Sequence, residues 1–120
     1  MKSQNRALDK GSTTGYKEDL GKPEWDLLPY DALLPVVKVF TSGAKKYTRH
    51  NWRSGMLWSR PMGAILRHIT AWWEGEDLDS DSGEHHLAHV IAEALFLMYY
   101  TTHKRYNKHD NRYKGEINHD

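Results

Sequence analysis

Residues 59–97, SRPMGAILRHITAWWEGEDLDSDSGEHHLAHVIAEALFL, hold two helical patterns on either side of an acidic loop. Ser59 is placed to cap the first of these helices, with Pro61 just inside it. Met62, Ile65, Leu66, Ile69 and Trp73 then follow the i, i+3, i+4, i+7 stripe of a core face. Gly75 stops the helix, and Asp81 or Ser82 is available to cap the next. That helix is expected over 84–104, with Leu87, Ile91, Ala94 and Met98 facing the core and Leu95 beside them.

Upstream, Leu33, Val36, Val37, Phe40 and Ala44 predict a helix over 31–46, in which Pro35 is tolerable only near the start. The 47–58 stretch, YTRHNWRSGMLW, mixes turn formers with aromatics and reads as an ordered loop. Three amphipathic segments without an alternating run predict an all-α antiparallel bundle, with helices at 31–46, 60–74 and 84–104. Residues 1–21 are polar and aperiodic, a flexible arm; 22–105 form the helical domain; 106–120 form a polar tail.

A chain of 120 residues has room for one domain, and only a small core. All five tryptophans (Trp25, Trp52, Trp58, Trp72 and Trp73) fall within it, so some are expected to pack against a second copy. The formal net charge of +1 gives no bulk electrostatic case for nucleic acid or membrane binding. No cysteine is present, which excludes disulfides and thiolate metal sites. The amino terminus has no apolar signal-peptide core and no run is long enough to span a bilayer, so a cytoplasmic location is expected. No GxxxxGK[ST] loop and no GxSxG elbow occur.

The chemistry-bearing residues cluster in the opening stretch. His86, His89 and Glu93 fall within roughly a 60° arc of an ideal helix. Their nitrogen and oxygen lone pairs suit one metal ion; His85 with His89 is an alternative pair, and a solvated polar face is the bland reading. Glu74, Glu76, Asp77, Asp79, Asp81 and Glu84 crowd the adjoining loop and repel one another unless solvated or neutralised by a cation such as Mg²⁺ or Mn²⁺. Lys46, Arg53 and Arg67 are candidates for gripping phosphates, and Tyr47 and Trp52 for stacking on a base; surface lysines and core tryptophans are the competing reading.

Three runs carry a family resemblance: GKPEWDLLPYDAL at 21–33, SGAKKYTRHNWRSGM at 42–56, and residues 67–97 quoted above. In that order they resemble the phage and bacterial dATP/dGTP diphosphohydrolases, relatives of the MazG-like all-α nucleotide pyrophosphohydrolases. The resemblance implies a MazG-like bundle completed by oligomerisation as a dimer or tetramer. It also implies Mg²⁺- or Mn²⁺-assisted hydrolysis of a nucleoside triphosphate, a purine deoxynucleotide being favoured, to monophosphate and pyrophosphate. In such an enzyme Glu76, Asp77, His86, His89 and Glu93 would hold metal, and His68 or Glu74 would act as general base. The MazG pattern places its acids as ExxE and ExxD on successive helices, and here histidines take part of that place. An altered acid set also suits a second function, a protein that binds or sequesters a nucleotide without cleaving it.

Overall fold

The computed structural model describes residues 20–114; residues 1–19 and 115–120, most of the expected arm and the end of the tail, lie outside that range. Among the described residues three α-helices run Tyr30–Lys46 (α1), Ser59–Trp73 (α2) and His86–Thr101 (α3), with short 3₁₀ turns at Trp25–Leu27, Asn51–Ser54 and Lys104–His109. No strand occurs among the described residues; one isolated bridge joins Leu78 to His85.

Helix α3 is the central element, packing against α2, α1 and the last 3₁₀ turn. Trp58, at the start of α2, clusters with Tyr100 at the end of α3, while His68 meets His86 at the start of α3. The two helices are therefore antiparallel. Against α1, α3 presents Ala88 and Ala92, whose small side chains let the helices approach around Val36. At the other end Trp52, Phe96, Tyr99, Tyr100 and Tyr106 form an aromatic core, in which Tyr100 and Tyr106 donate hydroxyl hydrogens to the Trp52 and Arg53 carbonyls.

Several details depart from the sequence reading, each for a local reason. Of the stripe expected inside, Leu87 is partly buried but Ile91, Ala94 and Met98 are exposed, and so is Leu95 beside it. Helix α3 is apolar on nearly every side, so its pattern does not select one face. The faces taken by α1 and α2 are those carrying alanines, histidines and aromatics. On α2 the same holds in part: Met62, Leu66 and Trp73 are exposed, Trp73 by 81%. Ser59 is the first helical residue rather than a cap; its N–H is taken by Asn111 Oδ1 at 3.0 Å. The cap of α3 is His85, whose Nδ1 accepts from Leu87 N at 3.0 Å, not Asp81 or Ser82. The start of the expected polar tail folds back on the bundle, burying Tyr106 and pairing His109 O with Trp58 N.

Candidate metal centre

The site is built where α2 ends and α3 begins. Gly75, at φ 107°, ends α2 in a Schellman motif: Gly75 N donates to Trp72 O and Glu76 N to Ala71 O. The loop then closes on itself. Asp79 N donates to Glu84 O, Gly83 N to Asp79 O and His86 N to Asp77 O, each within 2.7–2.8 Å. These bonds clamp residues 77–79 against 84–86 and aim the Asp79 side chain at the start of α3.

His68, Asp79 and His86 bring one ligand atom each within 4.8 Å of the others. The Nδ1 atoms of His68 and His86 face one another at 2.8 Å. Nitrogens on a shared ion bound at about 2.1 Å stand roughly 3 Å apart when adjacent, so this spacing fits joint ligation. His89 adjoins the group: its ring stacks on His68 at 4.3 Å, and its Nε2 lies 2.7 Å from Ser82 Oγ and 3.7 Å from Asp79 Oδ2. His86 Nε2 meets Glu76 Oε1 at 2.6 Å.

Electrostatics prepare the group for a cation. Burial lowers the pKa values of His68 and His89, favouring the neutral imidazoles that ligate metal. Burial opposes ionisation of Asp79, but hydrogen bonds from Ser82, side chain and backbone, outweigh it and hold the carboxyl below its ordinary value. Two imidazoles and one carboxylate form a mixed donor set suited to a borderline divalent ion more than to Mg²⁺, which takes oxygen ligands.

The other residues singled out from sequence fall into separate places. Asp77 contributes its backbone carbonyl to His86 N, and its side chain is exposed. Glu93 stands outside the three-residue group, its carboxyl pushed from 4.5 to about 7 by burial, partly opposed by Arg67. Glu74 and Arg67 line a depression of about 450 Å³ with Leu66, Thr70 and Ala71. All five belong to α2 or its C-cap, so a single helix walls that depression. Lys46 lies over the Tyr47 ring at the end of α1. Trp52 is packed into the aromatic core, stacked on Phe96 at 5.0 Å with the Arg53 guanidinium over its ring. Phe96 is ten residues beyond His86, about 15 Å along the helix, so Trp52 and Arg53 do not converge with the histidines within one chain. In the sequence Asp79 figures only among the crowded loop acids and Ser82 only as a possible cap, neither as part of a ligand group. Their signal is the spacing Asp79-x-x-Ser82-Gly83, in which the aspartate accepts from Ser82 N and Gly83 supplies φ 76°.

A family model for the dATP/dGTP diphosphohydrolase N-terminal region matches residues 12–112. The chain belongs to this family. Over 104 residues it is 31% identical to a dATP/dGTP diphosphohydrolase of Salmonella phage PMBT28, an alignment covering 87% of this chain and 35% of the phage protein. The chain thus spans about a third of that relative's length. No solved structure matches it. The family match takes in the whole His68–Asp79–His86 group, and no helix of the described residues is long and apolar enough to cross a membrane.

Glu93 gives this family member a pH signature in stability. With a folded pKa of about 7 against an ordinary 4.5, the native state keeps a proton that the unfolded chain releases. Stability on that account falls as pH rises between those values, and the penalty is complete above 7. The full shift corresponds to about 3 kcal/mol, which partial solvent access reduces to about 1–2 kcal/mol. Glu93→Gln is accordingly expected to raise the urea midpoint at pH 8 and to change it little at pH 5. Equal effects at the two pH values would contradict this origin.

Proposed function

We propose that this chain hydrolyses dATP or dGTP to the monophosphate and pyrophosphate, with a divalent ion held by His68, Asp79 and His86. The observation that carries this reading is the convergence of two imidazoles, that of His68 with its pKa lowered by burial, and a carboxylate held below its ordinary value, inside the region matched by the family. Of the two ions the resemblance implies, Mn²⁺ suits two nitrogen ligands better. An ion so held would polarise a phosphoryl oxygen and lower the pKa of a bound water. His68 and His86 orient their Nδ1 lone pairs, Asp79 supplies the negative charge, and neutral His89, stacked on His68, is placed to accept a proton. Arg67 offsets phosphate charge from the adjoining face of α2.

A homo-oligomer completes this reading. The depression beside Arg67 and Glu74 is walled by one helix, and large apolar side chains on α2 and α3 are left in solvent. A second copy would cover those side chains and supply the missing wall, bringing basic residues such as Lys46 or Arg53 toward phosphates that they do not reach within their own chain.

The test is incubation of the purified protein with dATP, dGTP and dCTP, with Mn²⁺ or with EDTA, and chromatography of the products. dAMP or dGMP with pyrophosphate is expected, abolished by EDTA and restored by Mn²⁺. Recovery of tightly bound but intact dATP or dGTP would favour sequestration over hydrolysis, and no binding or turnover would end both readings.

A further inference from the structure

We propose that Glu76 is a positioning residue that fixes the orientation and tautomer of His86, rather than a metal ligand. This inference rests on the metal-centre reading above. The imidazole of His86 is 3% exposed and has a partner on each nitrogen: Glu76 Oε1 on Nε2 at 2.6 Å, and His68 Nδ1 on Nδ1 at 2.8 Å. A carboxylate only accepts hydrogen bonds, so Nε2 carries a proton, and a ring that ligates through its other nitrogen carries none there. The lone pair is thereby placed on Nδ1, toward His68. A carboxylate bonded to the far nitrogen of the ring cannot also reach an ion on the near one. Glu76 therefore acts from behind the ligand, the arrangement in which a carboxylate fixes ring orientation and raises imidazole basicity.

The backbone sets this geometry independently of any ion. Glu76 is the residue just past Gly75 in the Schellman motif, and its N–H is tied to Ala71 O. One residue on, Asp77 O accepts from His86 N, so the glutamate and histidine backbones are held side by side. The Glu76 side chain keeps 53% exposure, so one face of its carboxylate stays in water and no buried charge is left uncompensated. Sequence spacing does not separate Glu76 from Asp77 and Asp79. The structure gives the three acids different tasks: carboxylate behind the ligand, backbone carbonyl, and carboxylate within the ligand group.

The experiment is Mn²⁺ titration of the wild type, Glu76→Ala and Glu76→Gln, with ¹⁵N–histidine spectra of the metal-free wild type. His86 is expected as the Nε2–H tautomer. Glu76→Ala should weaken Mn²⁺ binding about 10–100-fold, and Glu76→Gln, whose amide oxygen still accepts from Nε2, should recover most of that loss. Three results overturn the proposal: an Nδ1–H tautomer for His86, Mn²⁺ affinity in Glu76→Ala within twofold of wild type, or equal losses in the Ala and Gln variants, which would mean direct ligation through the charge. The spectra need no variant, so they decide even if Glu76→Ala does not fold. A wild type that fails to bind Mn²⁺ overturns the metal centre itself, whereas the three results above leave that centre standing.

Discussion

Asp79→Ala is expected to lower Mn²⁺-dependent turnover of dATP and dGTP by a factor on the order of 1,000, with the helical content unchanged. Asp79 is the one carboxylate in the ligand group, and its loss leaves two imidazoles, which supply no negative charge to offset a divalent ion. A metal site contributes several kcal/mol to stabilising charge in a phosphoryl transition state, and each 1.36 kcal/mol is about tenfold in rate. The fold should survive because the loop is clamped through main-chain atoms: Asp79 N to Glu84 O, Gly83 N to Asp79 O and His86 N to Asp77 O. What is lost is the carboxylate's hydrogen bonding to Ser82, side chain and backbone, at a cost of about 1 kcal/mol per bond. Asp77→Ala is the matched comparison. Its exposed side chain is dispensable, and its carbonyl remains, so turnover should stay within a few-fold of wild type. If Asp77→Ala were inactive and Asp79→Ala active, the ligand group drawn here would be wrong.

That comparison marks where sequence reading stops. The first two helices are legible almost to the residue, because each carries an apolar period bounded by a breaker, as Gly75 bounds α2. The spacing predicts the third as one run over 84–104, but it spans His86–Thr101. There Thr101 and Thr102 turn their hydroxyls onto the Met98 and Tyr99 carbonyls, which competes with helix continuation, and a 3₁₀ turn follows. Helical spacing also picked out His86 and His89 as neighbours on one face. It did not pick out Asp79 among the loop acids, because which acid points inward depends on the Leu78–His85 bridge and the turn at Gly83. Nor does spacing bring in His68 as a partner of His86, since that contact requires the antiparallel packing of α2 on α3. Residue type and order along the chain make Arg53 a candidate for phosphate and Trp52 a candidate for stacking on a base. Within the chain the Trp52 ring packs into the aromatic core, and exposed Arg53 lays its guanidinium over the Trp52 and Tyr99 rings.

In the homo-oligomer proposed above, Leu95→Glu is expected to give monomers of 14.0 kDa that keep their helices. Ile91, Leu95 and Met98 lie within roughly a 60° arc of α3, pointing away from α1 and α2. They are 42%, 45% and 64% exposed, too much large apolar surface on one helix face to be incidental in a chain this small. Burial of such side chains is worth about 1.5–3 kcal/mol each. In a two-fold dimer every substitution occurs twice in the same interface. Two unpaired carboxylates in an apolar contact would then weaken association by a factor on the order of 1,000 or more. Within the monomer the cost should be small, because Leu95 belongs to neither buried cluster. Light scattering at micromolar concentration checks both halves: a wild-type mass that is a multiple of 14.0 kDa, and a monomeric variant with an unchanged circular dichroism spectrum. A wild type that is already monomeric would sink the interface and leave the depression on α2 without its second wall. If instead the variant dissociates and loses turnover while still binding Mn²⁺, the partner copy supplies part of the nucleotide site, because the ligand group of His68, Asp79 and His86 lies within one chain.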